Sequence, residues 1–149
     1  MSSHQFIFQP GVWLGEGKVN LSISDEMLKF STRWNVEDPQ KKGNIATLQE
    51  VQIKGLEDVM KNKLTFSDFS DGEFSVHLEN ENIGKVIGRG IIKPKTIAWE
   101  FRSEDKEFEG FEVYELQEDG GYFMHAEYVT KDEFRTLIQG KIWKKSQNA

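Results

Sequence analysis

The sequence is poor in residues that build metal centres, disulfides and reactive thiols. It has no cysteine and three histidines among 149 residues, which excludes disulfide bonds, thiolate nucleophiles and cysteine-ligated zinc or iron–sulfur sites. His4, His77 and His125 show no His-x-His or His-x-x-x-His spacing, so we predict no metal site. Residues 1–5 contain no Lys or Arg and no long apolar run follows, which indicates neither a signal peptide nor a membrane span. We therefore expect a cytoplasmic protein without a membrane span.

Basic residues are also in the minority. Lys+Arg 19 against Asp+Glu 25 gives a net charge of −6 and a pI of about 5.2. Proteins that neutralise nucleic-acid phosphates need a basic face, so we expect no nucleic-acid partner. A hydrophobic content of 37% and an aromatic content of 12% are typical of one ordered domain at this length. We predict a single domain over residues 11–145, with tails at 1–10 and 146–149.

Hydrophobic and polar residues alternate along most of the chain. Leu28, Phe30, Thr32 and Trp34, for example, alternate with polar residues. No segment sustains the period of a long amphipathic helix, so the pattern predicts an all-β fold. We expect about ten strands, at residues 12–23, 27–35, 45–53, 63–67, 74–78, 83–92, 96–102, 108–116, 122–129 and 136–144.

Short polar connections separate these predicted strands. Asp71-Gly72 is typical of a two-residue hairpin turn, and single helical turns are expected within residues 55–60 and 130–133. Regularly spaced strands joined in this way predict a single closed up-and-down antiparallel barrel, because closure removes exposed sheet edges. At about ten strands the interior is wider than its own side chains fill, which implies a ligand cavity.

The predicted first strand begins with a Gly-x-Trp sequence, Gly11-Val12-Trp13. Together with the ten-strand pattern it resembles the lipocalin-like, or calycin, barrels, so we expect a lipocalin- or fatty-acid-binding-protein-like fold. In lipocalins a basic residue near the last strand packs on the first-strand tryptophan. The resemblance therefore implies this role for Arg135 or Lys144.

The longer string at residues 11–17, Gly-Val-Trp-Leu-Gly-Glu-Gly, is similar to the first strand of nitrobindin-type ten-stranded haem barrels. In those proteins a tryptophan plugs one end, so the resemblance implies that Trp13 closes one end of this barrel. They also place an iron-ligating histidine near the C-terminal strand. Residues 136–144 contain no histidine, and we predict no cofactor.

Charged and polar residues recur on three consecutive predicted strands, in pairs two residues apart. The pairs are Glu100 and Arg102, Glu112 and Tyr114, and His125 and Glu127. If apolar side chains point inward, as in most small barrels, these residues form ion pairs on the solvent face; this is our prediction. With the reverse parity they form a polar network inside the barrel that could bind an anionic head group or exchange protons.

The predicted function is binding of a small hydrophobic or amphipathic molecule inside the barrel, without catalysis, by a monomer or weak homodimer. The first alternative is an isomerase- or hydratase-type enzyme that uses an internal His/Glu/Arg cluster. The second is a structural or protein-interaction barrel filled by its own side chains. The apolar ligand-binding residues are predicted to be Trp34, Phe66, Trp99, Phe101, Phe111, Met124 and Tyr128. The polar ones are predicted to be Arg102, Tyr114 and His125.

Overall fold

The computed structural model describes residues 4–22, 26–38, 43–105, 107–130 and 135–145. These residues form the strands β1 (Gly11–Leu21), β2 (Met27–Val36), β3 (Ile45–Ile53), β4 (Val59–Ser70), β5 (Glu73–Asn80), β6 (Gly84–Lys93), β7 (Thr96–Ser103), β8 (Phe108–Leu116), β9 (Tyr122–Val129) and β10 (Arg135–Lys144). Each strand pairs antiparallel with its neighbours in sequence, and β1 pairs with β10, which closes the sheet. The predicted all-β, ten-stranded up-and-down barrel is confirmed.

The strand bounds agree closely with the alternation of the sequence, and the largest difference is at the start of β4. The expected helical turn within residues 55–60 is wrong, because Val59 and Met60 are already extended and pair with Gln52 and Val51 of β3. The other expected turn, at residues 130–133, falls mostly outside the described residues. A long β4 therefore extends the barrel wall at this end.

The predicted hairpin at Asp71-Gly72 is confirmed. Both residues have positive φ angles, 53° and 78°, as a two-residue type I′ turn requires. Just before this turn β4 carries a bulge between Ser67 and Ser70, where Asp68 has a φ of 55°. The bulge precedes a tight turn that brings β5 directly back along β4.

The interior of the barrel is packed at one end and partly open at the other. At the end that we call the closed end, Ile92 and Leu116 are half-buried, but most inward-facing side chains are buried: Trp13, Trp34, Ile45, Phe66, Ile97, Tyr114, Tyr122 and Ile142. At the opposite end, the mouth end, Phe108 and Phe30 are buried, but ten inward-facing side chains are half-buried: Leu21, Leu28, Val51, Ile53, Asn62, Asn80, Ser103, Tyr128, Thr136 and Ile138. The closed end thus supplies the core, and the mouth end supplies an accessible interior surface.

Residues that precede β1 complete the closed end. Phe6 and Ile7 are fully buried, although the sequence placed them in an N-terminal tail. The Phe6 ring lies 5.2 Å from Trp13, 5.1 Å from Trp34, 5.0 Å from Tyr114 and 5.6 Å from Tyr122, centroid to centroid. Trp13 is 1% exposed, so the tryptophan and Phe6 close this end together.

A buried histidine fixes the same segment. His4 Nδ1 lies 2.7 Å from the Tyr122 hydroxyl, and His4 Nε2 lies 2.7 Å from the backbone oxygen of Lys93. Both ring nitrogens are therefore engaged in hydrogen bonds, which holds residues 4–8 against the barrel.

Candidate functional site

Strand β8 turns Glu112 and Tyr114 inward, and this corrects their predicted parity. Glu112 is 7% exposed and Tyr114 is fully buried, whereas Phe111 is half-buried on the outer face. The reason is the register, since Glu112 lies opposite Trp99 of β7 and opposite Ala126 of β9. Directly opposed residues of paired strands share a face of the sheet. Because Trp99 points inward, Glu112 must do so too.

Glu112 lies between two tyrosine hydroxyls inside the barrel. Tyr114 donates a hydrogen bond to Glu112 Oε1, and Tyr128 donates one to Glu112 Oε2. Burial raises the pKa of the Glu112 carboxyl above its ordinary value, while the hydrogen bonds from Tyr114 and Tyr128 act in the opposite direction. The two oxygens are thus held in place by donors from two different strands.

Aromatic stacking fixes both tyrosines. Tyr114 stacks on Trp99 with ring centroids 5.0 Å apart, and Tyr128 stacks on Phe108 at 5.5 Å. Burial and the neighbouring Glu112 carboxylate raise the pKa of Tyr114 and of Tyr128 well above 10. Both hydroxyls therefore stay protonated and act as donors at neutral pH.

A chain of amide side chains lines the opposite wall of the mouth end. Asn80 donates to Asn62 (2.9 Å), Asn62 donates to Gln49 (3.0 Å), and Gln49 donates to the Thr32 hydroxyl (3.3 Å). In the closed order of ten strands, β3 lies five positions from β8, and β4 lies five positions from β9. The amide chain therefore faces the wall that carries Glu112 across the interior.

A cleft of about 470 Å³ adjoins the mouth end between β7, β8 and β9. Its lining includes Ser103 and Phe108, which belong to the inward-facing parity, and the outward-facing Arg102 and Glu109. Arg102 Nε lies 3.7 Å from Glu109 Oε2, and both side chains are exposed. Arg102 is thus at the rim and not inside the barrel, because it alternates with the inward-facing Phe101.

His125 lies on the outer face, as the predicted parity of β9 implies, and its contact with a ligand stays a prediction. It alternates with the buried Met124 and contacts the Phe111 ring at 5.8 Å. Glu127, two residues on, forms an ion pair with Arg135 at 2.6 Å on the same face. The internal His/Glu/Arg cluster of the enzyme alternative is therefore not assembled.

The structure divides the predicted apolar site residues between the two halves. Trp34, Phe66 and Trp99 are packed on one another in the closed half, with the Trp99 centroid 6.3 Å from Trp34 and 5.2 Å from Phe66. The remaining inward-facing ones are Phe101, Met124 and Tyr128. Contact of these residues with a ligand stays a prediction.

Sequence reasoning named Glu112 only in the reverse-parity network and not among the predicted ligand-binding residues. It did not select Phe108, Gln49, Asn62 and Asn80. For β8 a signal was present, because Phe108, Tyr114 and Leu116 share the parity of Glu112, whereas Phe111 is flanked at two residues on one side by Glu109. Phe108 and Leu116 at the two ends of β8 therefore indicated the observed inward face, whereas Phe111 and Val113 in the middle indicated the opposite one.

The described residues contain no group of three or more His, Asp or Glu side chains arranged to hold a metal ion. Within the same part of the chain, no helix is long and apolar enough to cross a membrane.

Comparison with known proteins gives a structural match and no match in sequence. No protein-family model matches the chain, and no curated protein matches it. The S-type phycobiliprotein lyase CPES from Guillardia theta superimposes with a TM-score of 0.72 at 9% identity, covering 99% of this chain and 94% of that chain. At this identity the likeness shows the fold alone. The similarity of residues 11–17 to nitrobindin-type barrels stays a prediction. The chain thus shares a closed barrel fold with that structure.

Proposed function

We propose that the protein binds a small hydrophobic or amphipathic molecule in the mouth half of its barrel. The observation that carries this proposal is the gradient of burial along the interior. Inward-facing residues such as Val51, Ile53 and Ile138 are half-buried at the mouth end, while most of those at the closed end are buried. An accessible apolar wall above a packed floor is the usual form of a small-molecule site.

Two polar groups would orient such a ligand. The amide chain of Gln49, Asn62 and Asn80 offers hydrogen bonds on one wall, and Glu112 with Tyr128 offers them on the other. An apolar body would lie between these walls against the Phe108 ring. The neighbour with the same fold is named as a phycobiliprotein lyase, so a linear tetrapyrrole belongs among the candidates.

The proposed activity is binding of the molecule without catalysis of a reaction. His125 and Arg102, which the enzyme alternative needs inside, both face outward. A protein without cysteine is compatible with a reducing compartment, and we propose that it acts in the cytoplasm. We propose a monomer or a weak homodimer as its oligomeric state.

The test is displacement of the uncharged fluorescent probe Nile red by a linear tetrapyrrole, haem, retinol and fatty acids. Val51→Trp would fill the mouth half and is expected to abolish probe binding. Gln52→Trp places the same side chain on the outer face of the same strand and should leave binding unchanged. Failure of Nile red and of every panel member to bind, or full binding by Val51→Trp, would overturn the proposal and favour a barrel filled by its own side chains.

A further inference from the structure

We infer that the ligand carries a positively charged nitrogen, which enters the barrel first and pairs with Glu112. This inference rests on the proposed function and specifies the chemistry of the head group. It differs from the anionic head group that an arginine inside the barrel would select, since Arg102 lies outside.

The interior has one sign of charge. Glu112 is the one buried carboxylate among the described residues, and every lysine and arginine of the described ranges is exposed. The buried polar partners of Glu112 are neutral phenols. A carboxylate in a low-dielectric site without a cation is costly to ionise, so a cation that reaches it gains a strong interaction. An entering carboxylate would instead meet a like charge.

The hydrogen-bond geometry leaves one oxygen of Glu112 within reach of a ligand. Tyr114, which bonds Oε1, is fully buried on the closed side. Tyr128, which bonds Oε2, is half-buried on the mouth side. An ammonium group can share Oε2 with Tyr128 or replace it, because each carboxylate oxygen accepts more than one hydrogen bond.

The distance from the rim fits an elongated molecule. Glu112 is four residues beyond Phe108 at the mouth end of β8, which corresponds to about 13 Å along the strand. The stacked rings of Phe108 and Tyr128 lie along this path, and aromatic faces attract cations. When the ammonium head has passed these two rings and reached Glu112, the apolar tail of the ligand would lie against the half-buried side chains of the mouth end.

Carboxylates also dominate the mouth-end connections. Among the described residues these connections contain Glu26, Glu57, Asp58, Glu81, Glu104, Asp105 and Glu107, against Lys54. Such a rim raises the local concentration of cations and lowers that of anions.

The test compares decylammonium, decanol and decanoate, which share one tail and differ in the head. Isothermal titration calorimetry at pH 8, in 150 mM salt and below micellar concentrations, should give about 10- to 100-fold tighter binding of decylammonium than of decanol, as expected for a hydrogen bond to a charged group. Decanoate should bind more weakly than decanol. Glu112→Gln should remove the advantage of the ammonium compound. Glu115→Gln makes the same charge change on the outer face of the same strand and should retain it.

A second variant covers the case in which Glu112→Gln does not fold. Tyr128→Phe frees Oε2 and should strengthen decylammonium binding more than decanol binding, because a hydrogen bond between two charged groups is stronger than one from a neutral hydroxyl. Decanoate binding as tightly as decylammonium, or equal losses in Glu112→Gln and Glu115→Gln, would overturn the head-group assignment and leave mouth binding intact. If none of the three compounds binds, while Nile red also fails, the proposed function itself falls.

Discussion

Glu112 of β8 and Tyr128 of β9 are hydrogen-bonded to each other inside the barrel, although the alternation of the sequence placed them on opposite faces. The bond connects the mouth end to the buried Tyr114, because the same carboxylate also accepts from that residue. Stability, tyrosine titration and ligand preference are therefore expected to depend on this cluster.

Glu112→Gln should change how stability depends on pH. In the folded protein the pKa of Glu112 is raised above the ordinary 4.5, first of all by burial. Its contribution to stability is therefore complete below pH 4.5 and is lost as the pH rises from 4.5 through the raised pKa. Urea unfolding between pH 4 and pH 8 should show this fall in the wild type and not in Glu112→Gln. Glu115→Gln is the control, and identical profiles for wild type and Glu112→Gln would contradict the burial of this charge.

The three tyrosines of the chain should not titrate at their ordinary pH. Burial raises the pKa of Tyr122 to about 12 and that of Tyr114 and Tyr128 well above 10. An unfolded phenol titrates near pH 10, so stability is complete below pH 10 and falls as the pH rises above it. Absorbance at 295 nm should rise only together with the loss of far-ultraviolet circular dichroism. A tyrosinate step near pH 10 in a protein that is still folded would show that the tyrosines are accessible.

Phe6→Ala should destabilise the barrel although Phe6 lies before the first strand. Its ring is fully buried against four aromatic residues of the closed end, and truncation of such a side chain costs about 3–5 kcal/mol. The free energy of unfolding in urea is the measurement. Gln5→Ala, at an exposed position of the same segment, should change it little; equal effects of the two substitutions would indicate that the segment does not pack as described.

Gly110→Ala should displace Tyr128. A Cβ atom at position 110 would lie 2.2 Å from Tyr128 Cδ1 and 2.7 Å from the backbone oxygen of Glu127, and overpacking of this kind costs about 1–3 kcal/mol. Because the ring must move, its hydrogen bond to Glu112 should weaken. In a double-mutant cycle, Tyr128→Phe is therefore expected to cost less in the Gly110→Ala background than in the wild type. Strict additivity of the two substitutions would argue against this coupling.

The fold followed from local information. Alternation with period two is visible within a single strand, as from Leu28 to Trp34, and a turn such as Asp71-Gly72 depends on two residues and their φ angles. Strand number, strand order and closure therefore followed from the sequence. The inward direction of Trp99, Phe101, Met124 and Tyr128 followed in the same way, because their outward neighbours, apart from Phe123 and Val129, are polar or small.

The site depended on non-local information. β8 has apolar residues on both parities, so its own alternation favours neither face strongly, and a shift of one residue in pairing would exchange them. Pairing with β7 and β9, which set Glu112 opposite Trp99 and Ala126, decided the matter. Phe6 and His4 lie outside any segment of alternating residues, and their burial depends on contacts with the strands that form the closed end. The sequence by itself determined the barrel, because strand formation depends on near neighbours; the tertiary structure alone decided which carboxylate faces the interior, because register is fixed by strands that pair across the sheet.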